Sequence, residues 1–162
     1  MGQEPQSAGR EFARRYRNIL CGLQLQTGIH RRIETIVDEF AEEHPSLRAT
    51  YIGREVDESY FVDGPLPVDA LARPRLQGLA VARDTLHELI AFAHGLQRDT
   101  VELSSIVRVE ETWLEPRPEE PFVLRIRLHH VFGACTVLLA STGEAQDAAR
   151  EFAERVRYLR GW

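Results

Sequence analysis

Between Arg10 and His44 the apolar residues fall at Phe12, Tyr16, Ile19, Leu20 and Leu23, then at Ile29, Ile33, Ile36, Val37 and Phe40. This is helical spacing throughout, and it predicts a long N-terminal helical segment over residues 10–43. Written as a heptad, one seam position reads Phe12, Ile19, Gln26, Ile33, Phe40 and its partner reads Tyr16, Leu23, His30, Val37. The seam is apolar except at Gln26 and His30. Two arrangements fit. Either one continuous helix carries a polar layer at Gln26 and His30, or the helix breaks at Thr27-Gly28, because glycine costs about 1 kcal/mol in a helix interior. A continuous rod would run to about 50 Å at 1.5 Å per residue and would want a partner along its overhang.

Beyond Pro45 the period changes. Residues 48–54 and 58–63 are β-branched and aromatic and predict a hairpin. Pro74 suits the first turn of a second helix, predicted to run to Gly95 with Leu79, Ala82, Leu86, Leu89, Ile90, Ala93 and Leu96 on one face. Residues 101–114 alternate as a strand, with Val101, Leu103, Val107 and Val109 on one side, and residues 116–121 (PRPEEP) form a loop. From Phe122 to Phe132 the alternation places Phe122, Leu124, Ile126, Leu128, His130 and Phe132 inward, with Arg125, Arg127 and His129 outward. Gly133 turns the chain into the apolar strand ACTVLLA. A last helix opens at Ser141 and Glu144, spaced as a capping box, and buries Ala145, Ala148, Ala149, Phe152, Val156 and Leu159. The expected architecture is α/β of the α+β kind: one antiparallel sheet of about five strands flanked by helices, in the order α-ββ-α-βββ-α. Residues 1–9 are expected to be a flexible arm and residues 10–162 a single domain.

That element order resembles the Roadblock/LC7 family, including the bacterial regulators of small Ras-like GTPases. The likeness is strongest in VLRIRLHHVF, the glycine turn, ACTVLLAS and the helix TGEAQDAAREFAERVRYL. It implies a profilin-like or Roadblock-like fold and a non-catalytic homodimer that presents a surface to a small GTPase or another protein partner. The resemblance transfers no catalytic residue. The turn region Glu55-Val56-Asp57-Glu58 departs from the Asp-Gly turn usual in that hairpin.

Composition narrows the chemistry. All 20 residues in the Lys+Arg count are arginine, which removes every mechanism that needs a side-chain amine: Schiff-base enzymes, Walker-type phosphate loops and kinase lysines. A net charge of −5 argues against a nucleic-acid partner, which calls for clustered cations. No uncharged apolar run approaches the roughly 18 residues of a membrane span, so neither a membrane partner nor an anchor is expected, and the expected location is cytoplasmic. Cys21 and Cys135 sit in apolar settings and are expected to be buried, inert thiols.

Catalytic, metal and cofactor sites are not expected. His87-Glu88 begins like a zinc-protease helix, but position 91 is alanine where the second ligand belongs. Ser104-Ser105 lacks a nucleophile elbow. His129 and His130 are adjacent on a strand and so point to opposite faces. The candidate interface or anion-contact residues are Arg125, Arg127 and His129, with Trp113 as an interface aromatic and Gln26 and His30 as the polar break in the seam. Cross-strand pairing with Glu102 or Glu110 is the plain reading of the arginine row. The leading functional expectation is a homodimeric adaptor or regulator. The alternatives are an acidic secretion-type chaperone binding an extended client, and a small-ligand sensor of GAF or PAS type.

Overall fold

A computed structural model describes residues 7–54, 76–115 and 122–162 of the chain. Helix α1, Ala8–Leu20, starts where the Ser7 side chain accepts the Arg10 amide at 3.1 Å, so the helix begins inside the segment expected to be an arm. Its stripe of Phe12, Ala13, Tyr16 and Leu20 is buried. The chain then reverses over residues 21–26, and helix α2, Thr27–Glu43, buries Ile33, Val37, Phe40 and Ala41. The segment is therefore two helices folded back on each other, with Phe12 and Phe40 rings 5.7 Å apart. The break precedes Gly28, which lies within the first turn of α2. Folding back lets both stripes cover one sheet face, which a single rod could not do.

That sheet contains β1 (Ala49–Gly53), β2 (Leu76–Ala82), β3 (Thr85–Phe92) and β4 (Gly95–Glu102), in the order β1-β2-β3-β4 and antiparallel throughout. A helix was predicted from Pro74 to Gly95, and the structure has strands β2 and β3 in its place. The cause is burial on both faces. Leu76, Ala80, Leu89 and Ala91 meet α1 and α2, while Leu79, Val81 and Leu86 meet the second core. Every residue of β2 is buried, so the strand reads as a continuous apolar run without two-residue alternation. Arg83, left-handed at φ 54°, turns the chain between β2 and β3.

A turn of 3-10 helix at Leu103–Ser105 interrupts the strand predicted over 101–114 and leads into a second sheet. This sheet is β5 (Ile106–Leu114), β6 (Val123–His130) and β7 (Cys135–Ala140), antiparallel in that order. The single five-stranded sheet of the sequence reading is thus replaced, among the described residues, by sheets of four and three strands, and the element order observed there is α-α-β-ββββββ-α. The predicted partner strand 58–63 and the loop 116–121 lie outside the described residues. Register slips between Ile106 and Arg108, which leaves Val107 exposed while Val109 packs inward. Phe122 and Phe132, expected inward, are 55% and 96% exposed, since each lies just beyond an end of β6.

Helix α3, Gly143–Arg160, is capped by Thr142, whose hydroxyl accepts the Ala145 amide at 3.2 Å; the cap sits one residue later than the expected Ser141. Its stripe of Ala149, Phe152, Ala153 and Val156 closes a core shared by the inner faces of both sheets. Buried Gln77 joins the sheets: its Nε2 donates to Glu88 Oε2 and to the Val137 carbonyl, each at 2.8 Å.

Candidate functional site

Strand β1 is an end strand, pairing with β2 alone among the described residues. Helix α1 packs on one face of its sheet and α3 lies along β1 from the other. Between the two helices the strand edge floors a groove made of two adjoining cavities of about 550 and 640 Å³. Both cavities touch Arg15, Ile52 and Ala148. Consecutive residues from Arg48 to Arg54 line the floor, so the backbone itself is part of the surface. At about 3.3 Å per residue the strand offers roughly 17 Å of edge.

The walls are apolar low down and charged at the rim. Ile19 of α1 and Ala145, Ala148 and Phe152 of α3 supply the apolar part; Arg15, Arg48, Arg54 and Arg155 alternate at the rim with Glu144, Glu151 and Glu154. Arg155 donates from Nε to the Arg48 carbonyl at 3.1 Å, occupying an acceptor at the start of the strand, and its guanidinium stacks 5.1 Å above the Tyr158 ring. Arg48 reaches away to the Arg83 carbonyl at 3.1 Å and Asp84 at 3.7 Å. Mixed rim charge selects no single sign of ligand. A row of main-chain groups with shallow apolar pockets beside it suits an extended peptide. Among its lining residues are no cysteine and no histidine.

The residues singled out from sequence lie in three separate places. Arg125, Arg127 and His129 share the outer face of the second sheet, as expected, opposite Thr112, Glu110 and Arg108 of β5. Glu110 lies 3.8 Å from Arg127, the cross-strand pairing that opposite charges favour, with His129 at 3.6 Å and Arg108 of its own strand at 3.7 Å. Trp113 is on the other face of that sheet, 48% exposed, with the Arg150 guanidinium 5.8 Å from its ring. Gln26 and His30 are at the bend between α1 and α2. Gln26 is exposed at the N-cap of α2 without a side-chain capping bond, and His30 Nε2 meets Glu34 at 3.1 Å. No polar layer inside a seam forms, because the chain reverses there.

His87 and Glu88 are on strand β3 and so face opposite ways. His87 packs against Phe40 and His44 with ring centroids at 5.2 and 4.5 Å. Glu88 lies between the sheets, where burial first, and then Asp99, push its pKa up against the Gln77 hydrogen bond. The cysteines, expected to be buried, are both exposed. The groove itself left no mark in the sequence: ATYIG is a short β-rich stretch, and which of its edges stays open depends on where α1 and α3 dock.

No protein-family model matches the chain, and no curated protein is similar enough to count as a relative. Among the described residues no helix is long and apolar enough to cross a membrane. Fold and site together define a class: a mixed α/β protein with two antiparallel sheets in which, among the described residues, β1 is an end strand with a groove along it between two helices.

Proposed function

We propose that this protein is a non-catalytic protein-interaction module that takes an extended segment of a partner protein along the β1 edge. The observation that carries the reading is the groove floor: five consecutive strand residues, Ala49–Gly53, between α1 and α3. An incoming strand would gain main-chain hydrogen bonds from β1, seat side chains over Ile52 and Ala148, and displace the Arg155 guanidinium from the Arg48 carbonyl. This joins the adaptor expectation to that of a chaperone for an extended client, since both need a surface that reads backbone more than side chain.

Selection of random extended peptides on the immobilised protein tests it, with Ala148→Arg as the counter-screen. Ala148 sits where the two cavities meet, half-buried on the groove side of α3, and arginine is a good helix former, so the variant fills the groove. Selected peptides should bind the wild type and lose at least about tenfold in affinity, roughly 1.4 kcal/mol, on the variant, whose melting curve stays near that of the wild type. Equal binding to both overturns the groove.

A second reading rests on a different edge. Strand β5, nine residues long, ends the three-stranded sheet and carries half-exposed Val107 and Trp113. Pairing of β5 with its copy about a two-fold axis would give the homodimer expected from the sequence. Sedimentation should then show a dimer that Trp113→Arg dissociates; a wild-type monomer at high micromolar concentration removes this reading.

A further inference from the structure

Cys135 opens strand β7, solvent-exposed, directly across from His129 of β6. Its Sγ lies 3.2 Å from His129 Nδ1, and the far ring nitrogen, Nε2, lies 3.2 Å from Arg108 Nη2 and 3.6 Å from Glu110 Oε1. Arginine can only donate. A neutral His129 that accepts from Arg108 at Nε2 therefore carries its proton on Nδ1 and presents it to the sulfur, an assignment made from the network itself. Strand geometry fixes all three groups, since Arg108, His129 and Cys135 are cross-strand neighbours on the outer face of one sheet.

We propose that Cys135 is a site of thiol modification by soft electrophiles, hydrogen peroxide among them, with His129 as the donor that holds the developing thiolate and Arg108 as the residue that sets the histidine tautomer. A thiolate is the reactive form of cysteine, and an N–H aimed at the sulfur favours it. With peroxide the thiolate attacks one oxygen, the S–O bond forms and the O–O bond breaks. Hydroxide leaves and takes a proton from solvent to become water. Sulfur is oxidised by two electrons to the sulfenic acid and the peroxide is reduced. Nothing in this step needs the β1 groove, so the proposal stands apart from the binding function.

Cys21 provides the internal comparison. It is also exposed, at the C-cap of α1, and no hydrogen bond reaches its sulfur among the described residues. Iodoacetamide labelling at pH 7, followed by mass-spectrometric peptide mapping, reads both thiols in one tube. Cys135 should label roughly tenfold faster than Cys21, and His129→Leu should bring the ratio near one while the Cys21 rate stays constant. Arg108→Met, at a more exposed position, supplies the second variant and should lower the ratio at least about threefold by releasing the tautomer. After peroxide, a dimedone adduct should map to Cys135 and disappear in His129→Leu. A ratio near one in the wild type, a ratio unchanged by both variants, or dimedone on both cysteines equally overturns the proposal.

Discussion

The His87 ring is 6% exposed, lies against Phe40 and His44, and leaves its Nδ1 without a hydrogen-bond partner among the described residues. Burial first, then the positive ends of His44 and Arg98, pull its pKa from the usual 6.5 down to about 4, against the opposing pull of Glu43. Between those values the unfolded chain binds a proton that the folded chain refuses. The contribution of His87 to stability is therefore complete above pH 6.5 and is lost as the pH falls toward 4, by an amount on the order of 2 kcal/mol once screening at the open side of the pocket is allowed for. His87→Phe should remove that part of the acid sensitivity while keeping the ring packing. Denaturant melts at pH 7 and pH 4.5 check this: the stability lost between the two should be smaller in the variant, and equal losses would exclude His87 as the sensor.

Gly28 shows how far a single residue could be read in advance. The sequence raised the choice between a rod and a break at this glycine, and the structure answers with a break that ends at Gln26, just before the helix holding Gly28. A methyl group added there meets nothing within 4 Å. Gly28→Ala should stabilise the protein by about 0.5–1 kcal/mol through the unfolded chain, seen as a raised denaturation midpoint at constant slope. The outward row of Arg125, Arg127 and His129 was legible because Leu124, Ile126 and Leu128 alternate with it into the core. The approach of Arg127 and His129 to Glu110 followed from the strand neighbour. Phe122 and Phe132 were misplaced for the opposite reason, since alternation carries no information past the last paired residue.

At the scale of elements, the docking of α1 on the first sheet depends on one close approach. A Cβ at position 78 of β2 would lie 2.7 Å from Tyr16 Cε2 and 2.9 Å from Phe12 Cζ. The same tyrosine donates its hydroxyl to the Leu89 carbonyl at 3.1 Å, fixing α1 across β2 and β3. Gly78→Ala should cost about 1–3 kcal/mol by overpacking and lower the melting temperature by several degrees; an unchanged melt would show that α1 has room to move. This glycine also bears on the helix expected over residues 74–95. An interior glycine disfavours a helix, yet Leu79, Ala82, Leu86, Leu89 and Ala93 match helical spacing so well that the pattern prevailed. A strand covered on both faces has no polar side to reveal its period, and the turn at Arg83-Asp84 lacks the glycine that marks most tight hairpins. Strand β6 and α3 were legible because in each a buried side alternates with a more exposed one.

For the whole molecule, the division into two cores explains why a groove exists. Helices α1 and α2 cover one face of the four-stranded sheet, and α3 covers the other together with the second sheet. Residues of α1 and α3 line the groove along β1 from either side. The groove along that edge, as the described residues form it, is a property of how layers meet, so no run of residues announces it, whereas the helices at the two ends of the chain, the antiparallel pairing of β6 with β7 and the absence of lysine follow from local pattern and composition. The interaction function proposed here stands on that groove. Amide hydrogen exchange on residues 49–53, measured for the free protein and after adding a peptide selected on it, tests the claim most directly. The account predicts exchange slowed by at least about tenfold at alternate β1 amides, with α3 residues 145–155 also protected and both effects absent in Ala148→Arg. Unchanged exchange along β1 with a bound peptide would contradict it.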